Sequence, residues 1–499
     1  MKQHLHLFDS RWTDFVPLTL PWPDDSWVAI AVVALGVWLV IALLLFWPRP
    51  KRVARLKGLN WRRSDFCRGW LITGDTGSGK TTSGINQLAH QVFRNEPKWG
   101  GLCIDEKGVY WETLKAMAEH YGRSHDLIHL QIRPDNDFKW VPPHRFNLVG
   151  DRSIPFSTYA KFVVDTATSL GQGGDKGFFK SQAQTHIAHA LELLFEMHQP
   201  VSLLGAYKLL SSQTDLATAC EVLGQLLETP ERTALVQHFD SRMTHQPPEQ
   251  LGGVRETIGN FLQHFVTPEV AEIFCSEKPS TFNFTQIDEG KIICVTMPQR
   301  FQTERRYVNT FLKLLFYNHA LRRFDRQRNQ REKNNLLILW ADEAQRFMTA
   351  SEDGTSDYNC VDVIREAGAT IVAAAQSTTS FVPPLGNDKS KVLTLNLRNR
   401  LIFRAADEAD AVQSADFLGK RTVVKRSWGY TGGKRTRNYN QVDEHKIKPH
   451  VLRNLRDHEC ILVHCERGHR RVNLPPLESD GSVARWFPTW RRLFGWWSM

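Results

Sequence analysis

The chain has 499 residues, with 63 Lys and Arg against 53 Asp and Glu, a net charge of +10, and 16 Trp. With 41% hydrophobic and 23% charged residues it is neither a wholly disordered chain nor a polytopic membrane protein. Its excess charge is local: Arg49, Lys51, Arg52, Arg55, Lys57, Arg62 and Arg63 follow one another with no acid between, and Arg485, Arg491 and Arg492 lie at the end. The rest is near neutral, so overall basicity carries no argument for nucleic-acid binding. The eight Cys are scattered without a C-x-x-C, which predicts buried thiols in a reducing compartment.

In chain order, residues 1–26 form a short leading segment and Trp27 to Trp47 an uncharged run of 21 residues. As a helix that run would be about 31 Å long, against a hydrocarbon core of about 30 Å. Trp22, Trp27 and Trp47 flank it as interfacial anchors, Asp24 and Asp25 precede it, and the basic linker 48–65 follows. Positive charge stays on the cytoplasmic side, so one transmembrane helix is expected, with residues 1–26 outside and the bulk of the chain inside.

A P-loop nucleotide-binding part is expected over 66–158. Residues 70–73 read as a strand, Gly74 to Thr81 fit G-x-x-x-x-G-K-[ST], and a helix should follow from Lys80. In that arrangement Gly74, Asp75, Thr76, Gly77, Ser78, Gly79, Lys80, Thr81 and Thr82 surround the phosphates of ATP. Backbone N–H groups face the anion, Lys80 supplies a point charge and Thr81 is the ligand for Mg²⁺. The absence of an N-K-x-D motif favours ATP over GTP.

Residues 159–282 read as an inserted all-α domain, with Phe178, Phe179, Ala183, Ile187, Ala190 and Leu194 at helical spacing. Alternating strands and helices resume over 283–478. The apolar run Leu336–Ala341 ends in Asp342 and Glu343, a second half of the nucleotide site. Asp342 would hold Mg²⁺ and Glu343 would act as general base. The strand 369–375 ends at Gln376, which is expected beside Glu343. The expected fold is therefore α/β: a RecA-like P-loop NTPase with a mainly parallel central sheet.

Between Phe417 and Val442 basic residues alternate with aromatics around Gly429 and Gly432-Gly433. Lys425, Arg426, Trp428, Lys434, Arg435 and Arg437 are the candidate DNA contacts, since charges track phosphates and aromatics stack bases. Arg322, Arg323, Arg326, Arg328 and Arg331 read as a solvated face or a subunit contact. The tail 479–499 places Trp490, Leu493, Phe494 and Trp497 on one helical side, as an interfacial or docking helix would.

These motifs, in this order, resemble the coupling proteins of type IV secretion and bacterial conjugation, relatives of the FtsK and HerA DNA translocases. The resemblance rests on the span, the P-loop, Asp105 to Gly108, Phe146-Asn147-Leu148, Phe178 to Ala183, Glu289 to Ile293, Asp342-Glu343, Gln376 and Asn396 to Arg404. It departs from the family in having one span where two are usual, and in Glu106 where many members carry Pro. The resemblance implies a hexameric, single-pass inner-membrane ATPase that drives DNA, with a relaxase or other secreted protein as partner, to a type IV secretion channel. It also implies an arginine finger, for which Arg365 is placed, with Arg398 and Arg400 as competitors. A HerA/FtsK-like duplex translocase and a protein-recruiting secretion ATPase are the alternatives.

Overall fold

The computed structural model describes residues 30–39 and 51–487, apart from 135, 136, 138, 172–176, 227, 245–247, 352 and 432. The chain divides into two units, 1–51 and 52–499. In the first, residues 30–39 are helical and exposed. Among the described residues no helix is long and apolar enough to cross a membrane, so the expected transmembrane helix is not found there. The remainder of the run 27–47, and the tail beyond Phe487, lie outside the described residues.

The second unit opens on a small antiparallel hairpin, β1 (Ala54–Leu56) and β2 (Leu59–Trp61). The strands that follow are β3 (Trp70–Thr73), β4 (Gly100–Asp105), β5 (Leu127–Gln131), β6 (Ile292–Thr296), β7 (Leu337–Asp342), β8 (Ala369–Ala375) and β9 (Asn399–Ile402). A separate hairpin, β10 (Lys420–Thr431) and β11 (Lys434–His445), precedes β12 (Glu459–His464) and β13 (Gly468–Asn473). The main sheet has nine strands in the order β13-β12-β9-β3-β8-β7-β4-β6-β5. Its strands from β9 to β5 are parallel, and β12 runs antiparallel to both β9 and β13.

Strand sequences that are apolar throughout suit burial on both faces, because successive side chains point to opposite sides. On one side Trp70, Ile72, Cys103, Ile338, Trp340, Val372 and Ala374 pack against the helices Asn86–Asn95 and Tyr110–His120. On the other, Leu71, Leu102, Ile104, Leu339, Ala341, Ile371 and Ala373 share a core with the helix Gln302–Arg322 and with a run of helices between Phe156 and Phe274. Gly101 lets β4 approach closely, since a Cβ there would lie 2.0 Å from the Ile338 carbonyl oxygen.

Polar caps punctuate the helical run. Ser202 and Thr229 accept from the Gly205 and Arg232 amides at 3.0 and 3.3 Å, where helices Leu203–Ser211 and Pro230–Phe239 begin. Phe178, expected on the buried face of the helix Gly177–Glu196, is instead 56% exposed.

Within the arginine cluster at the end of helix Gln302–Arg322, Arg328 and Arg331 are exposed as expected, but Arg323 and Arg326 depart from expectation. Arg323 is fully buried, with Nε donating to Asp288 at 3.0 Å and Nη1 to the Asn335 and Ala367 carbonyls, each at 3.0 Å. Arg326 pairs with the same Asp288. These are core fastenings that join the helix to the start of β7 and β8. Their partners are distant in sequence, so the local run of charge did not reveal them.

Candidate nucleotide site and basic hairpin

The loop after β3 turns through Gly74–Gly79 into Lys80–Ile85, a π-helical turn that continues as Asn86–Asn95. The Gly79 carbonyl accepts from both the Ser83 and Gly84 amides, at 2.8 and 3.2 Å. Gly79 has φ +104°, in the left-handed region that favours glycine. Lys80 Nζ donates to the Gly74 and Asp75 carbonyls at 2.8 and 3.2 Å. Burial lowers the pKa of this ammonium, while the Glu343 and Asp342 carboxylates act in the opposite direction. Neighbouring strands fix the loop from below: Gly74 N donates to Gln376 O at 3.2 Å and Asp75 N to Arg404 O at 2.8 Å.

β7 delivers the acids. Thr81 Oγ1 donates to Asp342 Oδ2 at 3.3 Å, so the hydroxyl and carboxylate expected to share Mg²⁺ are adjacent. Both are hard oxygen donors, which suits Mg²⁺. Burial, together with Asp105 and Glu343, pushes the Asp342 carboxyl up to about 6. A cation beside it would relieve that crowding. Asp105 ends β4 directly opposite Asp342 in register. It accepts from the Lys107, Val109 and Tyr110 amides at 2.9, 2.8 and 3.0 Å. Glu343 sits at φ +52°, a left-handed conformation that costs a non-glycine residue on the order of 1 kcal/mol. Its amide donates to Asp342 Oδ1 at 3.0 Å, and Gln345 Nε2 donates to its carboxylate at 2.6 Å.

β8 lies between β3 and β7, and Gln376 follows its last residue. All three strands are parallel, so Gln376, Gly74 and Glu343 emerge at the same end of the sheet, with Gln376 exposed. The residues expected to form the site are thus brought together. Two that the motifs did not single out as site residues join them: Asp105, and Glu106 beside it. Glu106, where many coupling proteins carry Pro, is buried and accepts from Arg306 Nε at 2.9 Å and Gln302 Nε2 at 2.7 Å. Both partners come from the helix Gln302–Arg322, and no sequence spacing announces the pairing.

Arg365 lies elsewhere. It sits in the short 3₁₀ turn Ile364–Ala367 that leads into the opposite end of β8, half-exposed and 3.7 Å from Glu366. Its competitors are engaged within the chain. Arg398 donates to the Cys465 carbonyl at 3.3 Å. Arg400 is buried beside Phe417 with Nε donating to Leu397 O at 3.3 Å, and burial lowers its pKa to about 9.

The segment 420–445 is a ribbon of two antiparallel strands that, among the described residues, pairs with no strand of the main sheet. Arg426 stands opposite Tyr439, and Trp428 opposite Arg437. Directly opposed residues share a face, as do residues two apart. These four therefore line one side: Arg437 stacks over Trp428 at 4.7 Å and Arg426 over Tyr439 at 5.7 Å. The same register sets Tyr430 opposite Arg435 and Thr431 opposite Lys434. Lys425 falls on the alternate face, 2.6 Å from Glu444. Trp428 and Tyr439 are 49% and 55% exposed.

Comparison with known proteins follows this geometry. Residues 296–475 match the family model described as the type IV secretion-system coupling protein DNA-binding domain. No curated protein matches the chain by sequence. The unbound bacterial conjugative coupling protein TrwB lacking its first 70 residues shares 16% identity with the chain at a TM-score of 0.60, over 88% of this chain and 90% of that one. TrwB in complex with the GTP analogue GDPNP gives 15% and 0.61, over 88% and 92%. TrwB with ADP and Mg²⁺ gives 14% and 0.59, over 87% and 93%. At these identities the likeness is one of fold: a large, mostly parallel sheet with helical parts.

Proposed function

We propose that the chain is a type IV secretion coupling protein and acts as an ATPase motor for DNA transfer. ATP hydrolysis would drive DNA, single-stranded and alone or with bound protein, to a type IV secretion channel. The observation that carries the reading is the convergence of Lys80, Thr81, Asp342, Glu343 and Gln376 at one end of the parallel sheet. Thr81 and Asp342 would hold Mg²⁺, which supplies charge neutralisation at the β- and γ-phosphates. Lys80 binds the phosphates, Glu343 takes the proton of the attacking water, and Gln376 orients that water. TrwB structures hold ADPNP in one case and ADP with Mg²⁺ in another, which supports the same ligands here.

The family model that matches 296–475 is named for DNA binding, and the ribbon 420–445 lies inside it. Arg426, Arg437, Trp428 and Tyr439, with Lys425, Lys434 and Arg435, are the proposed DNA contacts. A hexameric ring would let Arg365 act in a neighbour's site. The uncharged run 27–47 and the basic residues after it support a single-pass inner-membrane anchor with residues 1–26 outside. A relaxase or another secreted protein, and the channel itself, are the implied partners.

The test is ATPase activity of the full chain in detergent, alone and with single-stranded or duplex DNA. Stimulation by single strands is expected. Stimulation by duplex only would make it a HerA/FtsK-like translocase, and turnover indifferent to DNA would favour a protein-recruiting ATPase.

A further inference from the structure

We propose that His458 is a positioning residue of the nucleotide site and that the segment from Leu474 to Phe487 forms part of that site's support. This rests on the reading of the chain as an ATPase. His458 lies between the short helix Pro449–Arg453 and β12, more than 370 residues from the P-loop it touches.

Two contacts reach the loop. The His458 amide donates to Ser78 O at 2.9 Å, and its Nδ1 lies 2.8 Å from Ser83 Oγ, a fully buried hydroxyl on the first turn after Lys80. The first contact sets the orientation of one peptide plane. In a trans peptide the C=O and the following N–H point in opposite directions. Holding the Ser78 carbonyl on the His458 side therefore turns the Gly79 N–H to the other side, where a phosphate-cradling amide is needed. The second contact holds the turn that carries Lys80 and Thr81. The fit is close: a Cβ on Gly79 would lie 2.7 Å from His458 Nδ1.

His458 is itself held from behind. It has φ +66°, an uncommon conformation for a residue other than glycine. The Leu474 amide donates to its carbonyl at 2.8 Å, and Phe487, buried, and Trp486, exposed, approach its ring at 5.5 and 5.2 Å. The stretch of chain between them runs along the helix after the P-loop. Leu477 N donates to Thr82 O at 3.0 Å, Asn86 Nδ2 to Leu477 O at 3.0 Å, and Gln87 Nε2 to Pro475 O at 2.8 Å. Asp457, next to His458, pairs with Arg404 at 2.8 Å, and Arg404 lies 3.6 Å from Asp75. The P-loop is thus gripped from its outer side by the C-terminal part of the chain.

The experiment measures Mg·ADP affinity and the kcat and KM for ATP on the full chain, with thermal unfolding as the fold control. His458→Ala and Ser83→Ala are each expected to weaken Mg·ADP binding by about 10-fold, as removal of a buried hydrogen bond does. The double variant should be little weaker than either alone, because both substitutions break the same hydrogen bond. His458→Asn should stay within about 3-fold of the parent, since Asn tolerates the left-handed region and keeps a side-chain hydrogen bond. A purely structural role would lower the melting temperature and the active fraction without moving the affinity of the folded protein. Unchanged affinity in Ser83→Ala, or Asn behaving no better than Ala, overturns the proposal. If His458→Ala does not fold, Ser83→Ala decides by the same criterion. A parent chain that neither binds nor hydrolyses ATP would instead overturn the ATPase reading.

Discussion

Thr81 Oγ1 and Asp342 Oδ2 stand 3.3 Å apart although 261 residues separate them in the chain. The pairing exists because β8 spaces β3 from β7 by a single strand, so the loop after one and the last residue of the other meet. Removing either oxygen should cost the metal more than the nucleotide. Thr81→Ala and Asp342→Asn are expected to keep measurable ADP binding and to raise the Mg²⁺ concentration needed for turnover. Lys80→Ala should lower kcat by about 100-fold or more, the effect typical of removing a group that stabilises transition-state charge. A Mg²⁺ titration of steady-state ATPase checks all three.

Arg365 cannot act on the site of its own chain through β8, because it lies at the far end of that strand from Gln376. With Arg365 acting in a neighbour's site, as proposed above, Arg365→Ala should lower ATPase by about 10³-fold. Mixing it with Lys80→Ala subunits should restore part of the rate, since each subunit then supplies what the other lacks. Activity that fails to recover at every mixing ratio counts against a trans role.

On the ribbon, the paired cation–aromatic stacks predict two separable effects. Arg426→Glu with Arg437→Glu should weaken single-stranded DNA binding and reduce the salt slope by about two, one for each phosphate no longer neutralised. Trp428→Ala should cost about 1–3 kcal/mol with little change in slope, as expected for a stacked base. Fluorescence anisotropy over a salt series separates the two.

The helical run carries a built-in acid sensitivity. His186 is fully buried, with Nδ1 3.2 Å from His238 Nε2, and the His189 ring lies 4.2 Å from that of His238. Burial first, and then the neighbouring imidazoles and Arg242, lower His186 and His238 each to about 4. Both groups are depressed from 6.5, so the unfolded chain binds more protons than the folded one between pH 6.5 and about 4. Their contribution to stability is complete above pH 6.5 and is lost as pH falls through that window, by on the order of 1 kcal/mol per pH unit for a buried group. Thermal unfolding from pH 7.5 to 4.5 should show the fall, and His186→Phe should flatten it.

Much of this site was legible because its parts are contiguous. The P-loop, the run ending in Asp342-Glu343 and the strand ending in Gln376 each carry their chemistry within a dozen residues, and parallel strands bring their ends together. What escaped was set by pairings between distant segments. Arg323 looked like one charge in a solvated row, yet its partners are Asp288 and two main-chain carbonyls from elsewhere. Glu106 pairs with Arg306, which lies 200 residues on. His458 belongs to no motif, and its contacts with Ser78 and Ser83 cross more than 370 residues of sequence. Phe178 fell on the apolar stripe of its helix and still faces outward, because periodicity locates a stripe and not its edges.

β8 has seven residues, all buried, and is about 20 Å long. It is flanked by parallel neighbours on both sides. One end carries Gln376, proposed above to orient the attacking water, and the other leads back to Arg365. In the proposed ring, β8 would link the nucleotide site of one subunit to the end of the strand beside the next subunit's nucleotide. Turnover would then be timed by the assembly and not by the single chain, and dilution below the assembly threshold should silence catalysis while nucleotide binding persists.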